Sequence, residues 1–60
     1  MKQTGYFLIK MKKTLNLYLW SEDKEDLEEV KEKGMEIVPC YKDEAGKEYI
    51  KYNDQLIQLK

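Results

Sequence analysis

An α+β fold is what the sequence predicts: one small domain, elements in the order ββαβββ, and a mixed, mostly antiparallel sheet with one helix packed on one face. Three observations predict it. Residues 5–20 hold two apolar and aromatic runs, GYFLIKM and LNLYLW, divided by Lys12 and Lys13. Leu27 to Pro39, LEEVKEKGMEIVP, has a charged amphipathic half, a glycine break at Gly34 and a short β-branched half, the pattern of a helix running into a strand. Two further strand-like runs then follow, punctuated by Gly46 and by Asn53-Asp54.

The first strand is expected over 5–11, with residues 1–4 frayed, and the second over 15–20, where Leu15, Leu17 and Leu19 alternate with Asn16, Tyr18 and Trp20. An odd-length loop pairs Met11 with Leu15, Ile9 with Leu17 and Phe7 with Leu19, which makes one face wholly apolar; a buried face is what fixes register. Ser21 or Asp23 can cap the helix, and early acids favour its N-terminus. The helix continues from Asp26 to Lys33, supported by a Glu29–Lys33 pair at (i, i+4), and stops at Gly34. Its apolar stripe is only Leu27 and Val30, so it must lie on a sheet. A crossover of about a dozen residues allows the second and third strands to be parallel neighbours with a right-handed connection.

The remainder reads as a meander. Met35 to Lys42 forms the third strand, with Pro39 marking an edge or bulge. Asp43 to Gly46 is a turn whose bulged register sets Lys42 against Glu48 and Cys40 against Ile50; the alternative opposes Lys42 to Lys47. KEYIKY, Asn53-Asp54 and QLIQL complete a hairpin. Val38, Cys40, Ile50, Tyr52, Ile57 and Leu59 then share a face.

Sixty residues allow one domain, 1–60, with a small core; domains of this size bury only about 60% of their unfolded surface. Cys40 is the single cysteine and there is no histidine, so neither an internal disulfide nor a Cys/His zinc site can be built. Oligomerisation or docking is the remaining route to added stability. No apolar run nears the roughly 20 residues of a membrane span. MKKTLNLYLW lacks the length and cleavage site of a secretory signal, and a lone cysteine suits a reducing cytoplasm. Met1 and Met11 are both candidate starts; the longer form is taken as the folding unit, because beginning at Met11 would delete the first strand.

The 11 basic and 12 acidic residues are unevenly spread: residues 1–20 carry four lysines and no acid, residues 21–36 eight acids and three lysines. Every basic residue is lysine. Absence of arginine weighs against sequence-specific nucleic-acid reading, and lysine-only basicity suggests AT-rich coding. With one serine, one cysteine and no histidine, the usual base–nucleophile pairs cannot be assembled, so the expectation is a non-enzyme. Cys40 reads as a small buried hydrophobe. No calcium loop or glycine-rich phosphate cradle is present, and no cofactor is expected.

The registers leave an apolar surplus. Phe7, Ile9, Met11, Leu15, Leu17, Leu19, Val38, Cys40, Ile50 and Ile57 fall on the face assigned to the helix. Tyr6, Leu8, Tyr18, Trp20, Ile37, Tyr41, Tyr49 and Leu56 fall on the other. One short helix cannot cover both, and exposed apolar patches mark interaction sites. Those eight residues are therefore the candidate partner-binding surface, for a homodimer, for another protein, or for both. The runner-up is a nucleic-acid-binding module in which Lys10, Lys12 and Lys13 stand beside Tyr6, Tyr18 and Trp20 as a stacking platform; the net charge of −1 and the acidic helix oppose it. Mimicry of a phosphate backbone by Glu22 to Glu36 is weakened by three interspersed lysines. In its small size and lysine-only basicity the chain is similar to accessory proteins of phages and mobile elements, including inhibitors of bacterial defence systems. No motif carries that likeness, so no functional residue is transferred from it.

Overall fold

The computed structural model describes residues 1–59. Its elements are β1 (Lys2–Met11), β2 (Leu15–Ser21), α1 (Lys24–Val30), β3 (Glu36–Lys42), β4 (Glu48–Tyr52) and β5 (Gln55–Gln58). They form one α+β domain in the anticipated ββαβββ order. The strands lie in the spatial order β2-β1-β3-β4-β5, and every neighbouring pair is antiparallel.

That order corrects the expected mixed sheet. β2 and β3 do run in the same direction, as the helical crossover allows, but β1 lies between them and pairs with both. The parallel ladder is thus replaced by two antiparallel ones, and β1 becomes a central strand. It is also longer than the sequence suggests. Lys2 opposes Lys42 and Gln3 opposes Tyr41, so Lys2 and Gln3 are paired strand where fraying was expected.

The β1–β2 register begins as anticipated, with Met11 opposite Leu15 and Ile9 opposite Leu17. A bulge follows. Leu8 pairs with Leu19 and Phe7 with Trp20, leaving Tyr18 as the extra residue. One inserted residue reverses the facing of everything beyond it. Leu19 therefore leaves the Ile9 face for the Leu8 face, and Trp20 moves the opposite way.

The second half follows its expected registers closely. Cys40 opposes Ile50 and Lys42 opposes Glu48, while the Asp43–Lys47 turn closes with a 3.0 Å backbone bond and Gly46 at φ 84°. Asn53 and Asp54 both take positive φ, 52° and 60°, the backbone of a two-residue hairpin turn that Asn and Asp tolerate better than most residues.

Helix α1 is shorter than expected and covers the other face. It has seven residues, and Lys31 already has extended dihedrals. Gly34 (φ 89°) serves a separate turn, closed by Met35 N–H donating to the Glu32 carbonyl at 3.0 Å. Lys33 therefore lies outside the helix, and the Glu29–Lys33 helical pair does not form. Ser21 organises the start: its Oγ accepts from the Asp23 N–H and donates to Asp26 Oδ2, each at 3.1 Å. Asp23 occupies the cap position with no side-chain capping bond. Leu27 is the helix's one buried residue, and Val30 is half exposed.

Three contacts fix the side on which this helix lies. Ser21, bonded to Asp26, opposes Tyr6 in the sheet. The Lys10 side chain lies against Gly34 in the linker that follows the helix. Leu27 is wholly buried yet lies outside the cluster of Ile9, Val38 and Ile50. Tyr6, Leu8 and Lys10 share a strand face, because successive strand residues alternate. The helix thus covers the Leu8 face, where the sequence reading had placed it over Ile9.

The Ile9 face is buried by curvature instead. Ile9, Val38 and Ile50 form its centre, packed by Phe7, Leu15, Tyr52, Ile57 and Leu59. Leu17 from one edge strand and Leu59 beyond the other line a common cleft, so the twisted sheet curls toward closure around this core. Both faces of β1 are consequently internal, with Leu8 beneath the helix and Ile9 inside the curl.

Candidate functional site

The eight residues expected to form one partner-binding surface are distributed over three places. Leu8 is only 3% exposed and belongs to the core, which removes it from any contact surface. Tyr6 and Ile37 flank it, both half-buried, on the helix side. Tyr41 and Tyr49 oppose each other directly across β3 and β4, also half-buried, while Leu56 is exposed on β5 opposite Lys51. Tyr18 and Trp20 belong to β2, Tyr18 at the bulge and Trp20 on the concave face beside Phe7. The reversal at Tyr18 is the physical reason that Trp20 separates from Tyr6.

β2 gathers what the sequence reading dispersed. Leu17, Tyr18, Leu19 and Trp20 are 43%, 50%, 46% and 43% exposed, four consecutive large apolar or aromatic residues. The strand lies at the edge of the sheet, paired only with β1, so its outer N–H and C=O groups have no ladder partner among the described residues. Edge strands are ordinarily blunted by brevity, prolines, lysines or bulges. The opposite edge obeys this: β5 has four residues, two of them glutamine. β2 has seven residues, no proline and no charge, and retains only the bulge. Leu17 and Leu19 escaped the sequence reading because alternation assigned both to the buried face; their exposure follows from β2's place in the strand order.

The edge is held firmly. Asn16 Nδ2 donates to the Lys10 carbonyl at 3.4 Å and to the Thr14 carbonyl at 3.1 Å, closing the β1–β2 tip. At the other end the Trp20 indole covers Gly5: a Cβ there would stand 2.9 Å from Nε1 and 2.7 Å from the Ser21 carbonyl oxygen. Gly5 supplies the space for this approach and adopts φ 153°, with a second irregularity displacing Thr4 from the β1–β3 ladder.

Trp20 and Leu17 also form one wall of the concave side. A cleft of about 370 Å³ is lined by Phe7, Leu17, Leu59 and the Gly46–Glu48 turn. A neighbouring one of about 270 Å³ is lined by Thr4, Trp20, Lys42 and Glu48. No group of three or more potential metal-ligating His, Cys, Asp or Glu residues occurs among the described residues. Cys40 is a free, fully buried thiol.

One polar pair has shifted titration. The Lys47 backbone N–H bonds Asp43 Oδ1 at 2.9 Å, and Tyr49 OH donates to Oδ2 at 2.9 Å. The backbone bond, aided by Tyr49 and by the Lys47 charge, holds the Asp43 carboxyl below its ordinary 3.8, against a smaller opposing effect of desolvation. The same tyrosine–carboxylate bond, with desolvation and the Asp43 charge, raises the Tyr49 phenol above 10.0. This half-buried arrangement braces the β3–β4 turn.

The lysines and aromatics of the stacking-platform reading are spread along the β1–β2 hairpin. Lys12 and Lys13 occupy the exposed β1–β2 tip, and Lys10 is half-buried against the helix linker. Trp20 stands seven residues from Lys13 along β2, roughly 20 Å at a strand's rise. No helix among the described residues is long and apolar enough to cross a membrane. Comparisons of the chain with protein-family profiles, characterised proteins and solved structures gave no significant match.

Proposed function

We propose that this protein is a non-catalytic interaction domain that works by presenting β2 for strand addition. The observation that carries the reading is an uncharged, seven-residue edge strand with Leu17, Tyr18, Leu19 and Trp20 each about half exposed. In strand addition, backbone hydrogen bonds supply affinity and the alternating side chains supply selectivity. Leu17 and Trp20 would be read on the concave side and Leu19 on the helix side. The cellular role that goes with this reading is occupation of a host protein's surface, as a small phage-type blocker does. A buried, unpaired Cys40 is compatible with a cytoplasmic setting.

Substitution at the two edges tests it. Leu19→Lys places a charge on the proposed docking strand, whereas Leu56→Lys does so on the short opposite edge. Immobilised protein with the Leu19→Lys change should lose partners from a native-host extract that the Leu56→Lys protein retains. Equal retention by both would sink the strand-addition reading.

A further inference from the structure

We infer that the strand added to β2 is β2 of a second copy of this chain, running antiparallel to it about a two-fold axis near Tyr18. The inference rests on the strand-addition reading and names its partner. Its basis is the charge pattern around the edge. Residues 14–21, TLNLYLWS, contain no charge; Lys12 and Lys13 precede them, and Glu22, Asp23, Lys24, Glu25 and Asp26, four acids against one lysine, follow. A strand that is basic at its beginning and acidic at its end complements itself when antiparallel and repels itself when parallel.

Centring the pair between Leu17 and Tyr18 gives a specific register. Leu15 of each copy opposes Trp20 of the other on the concave face, and Asn16 opposes Leu19 on the helix face. Beyond the paired strands, which end at Ser21, the same register brings Lys13 of one copy to Glu22 of the other and Lys12 to Asp23. All four charged residues are exposed, and Asp23 makes no side-chain capping bond, so they are free to pair between copies. The bulge at Tyr18 falls beside the axis in this arrangement. The two bulges then adjoin at the centre and leave Thr14–Asn16 of each copy to form a ladder with Leu19–Ser21 of the other. Such an isologous contact closes after two copies. The result is a continuous ten-stranded sheet, twice the five strands of one chain. β5, short and polar, remains its outer edge.

Charge exchange tests the inference on the full chain. Wild-type protein in sedimentation velocity should move from 7.3 kDa toward about 14.6 kDa (2 × 7.3 kDa) as its concentration rises. An interface formed by one strand pair lies at the small end of stable contacts, so the transition is expected on the order of micromolar. Lys12→Glu with Lys13→Glu, and separately Glu22→Lys with Asp23→Lys, should each weaken self-association by about tenfold or more, since like charges then meet at both ends. An equimolar mixture of the two variants should regain the wild-type mass, because the exchanged ends again oppose. Regained association also shows that both variants fold. A mixture that stays monomeric, or a wild type that stays at 7.3 kDa up to millimolar concentration, would overturn the second copy. Amide hydrogen exchange separates this from the underlying reading. Protection of β2 amides by a host protein with a monomeric wild type overturns only the copy; unprotected β2 amides in every complex overturn both.

Discussion

Replacing Gly5 with alanine tests how the β2 edge is attached to the rest of the fold. A Cβ at this position would lie 2.7 Å from the Ser21 carbonyl oxygen and 2.9 and 3.0 Å from Nε1 and Cε2 of Trp20. The first contact is with backbone and cannot be relieved by a rotamer change. Two costs combine. A φ of +153° is one that L-residues rarely adopt, and such strain costs of order 1–3 kcal/mol. Inserting a methyl group into an occupied space adds about 1–3 kcal/mol. A loss of roughly 2–6 kcal/mol is therefore expected, against a total stability of about 3–9 kcal/mol for a domain of this length.

Urea unfolding followed by Trp20, the single tryptophan, reads the change directly. With an m value of about 1 kcal/mol/M for so small a chain, the midpoint should fall by about 2 M or more. The double variant with Trp20→Ala sharpens the test. Removing the indole leaves only the Ser21 carbonyl against the new methyl, so Gly5→Ala should cost less in that background, a coupling of about 0.5 kcal/mol or more measured by far-ultraviolet circular dichroism. An unstrained Gly→Ala replacement stabilises by about 0.4–1 kcal/mol through the unfolded chain. A neutral or stabilising result at Gly5 would refute the proposed clasp of Trp20 over β1.

The helix should prove unequal along its length. Leu27→Ala, which empties a fully buried position, should cost about 2–5 kcal/mol in urea unfolding, whereas Val30→Ala, half exposed, should stay within about 0.5 kcal/mol. Asp43 should titrate below 3.8 in an NMR pH series, and Tyr49→Phe should raise its pKa by removing one of its hydrogen bonds. Because folding lowers this pKa, its stabilising contribution is present above the unfolded value and is lost as pH falls through the folded one. Tyr49 has the opposite sign: its raised pKa gives a contribution present below about 10 and lost as pH rises through the folded value.

The legible parts of the fold were those governed by local pattern. Asn53-Asp54 and the Asp43–Gly46 turn declare their backbone through residue type, and Lys42–Glu48 chooses its register by charge. Alternation also grouped Val38, Cys40, Ile50, Tyr52 and Ile57 correctly. What escaped was long-range. Nothing local says that β1 receives β3 on its free side, since a helical crossover is compatible with parallel neighbours as well as with an intervening strand. The Tyr18 bulge was equally hidden, because LNLYLW alternates without interruption and only pairing to Phe7 and Leu8 reveals the inserted residue. Both omissions bear on the site: the strand order makes β2 an edge, and the bulge assigns Leu19 and Trp20 to their faces.

A small core and an open edge belong together energetically. Six buried apolar side chains hold this domain, namely Leu8, Ile9, Leu27, Val38, Cys40 and Ile50; none of them comes from β2. The strand is attached by its ladder to β1, by Asn16 at one end and by Trp20 over Gly5 at the other. Under the strand-addition proposal, those attachments fix its backbone in advance, which lowers the ordering cost of binding. A partner at this edge would in turn stabilise the fold by mass action, because the unfolded chain presents no such edge. The half-exposed side chains of Leu17 and Leu19 thus contribute little to the isolated chain and would contribute more in the proposed assembly. That is a sufficient physical reason for a short sequence to keep its most apolar alternating strand at the edge of the sheet.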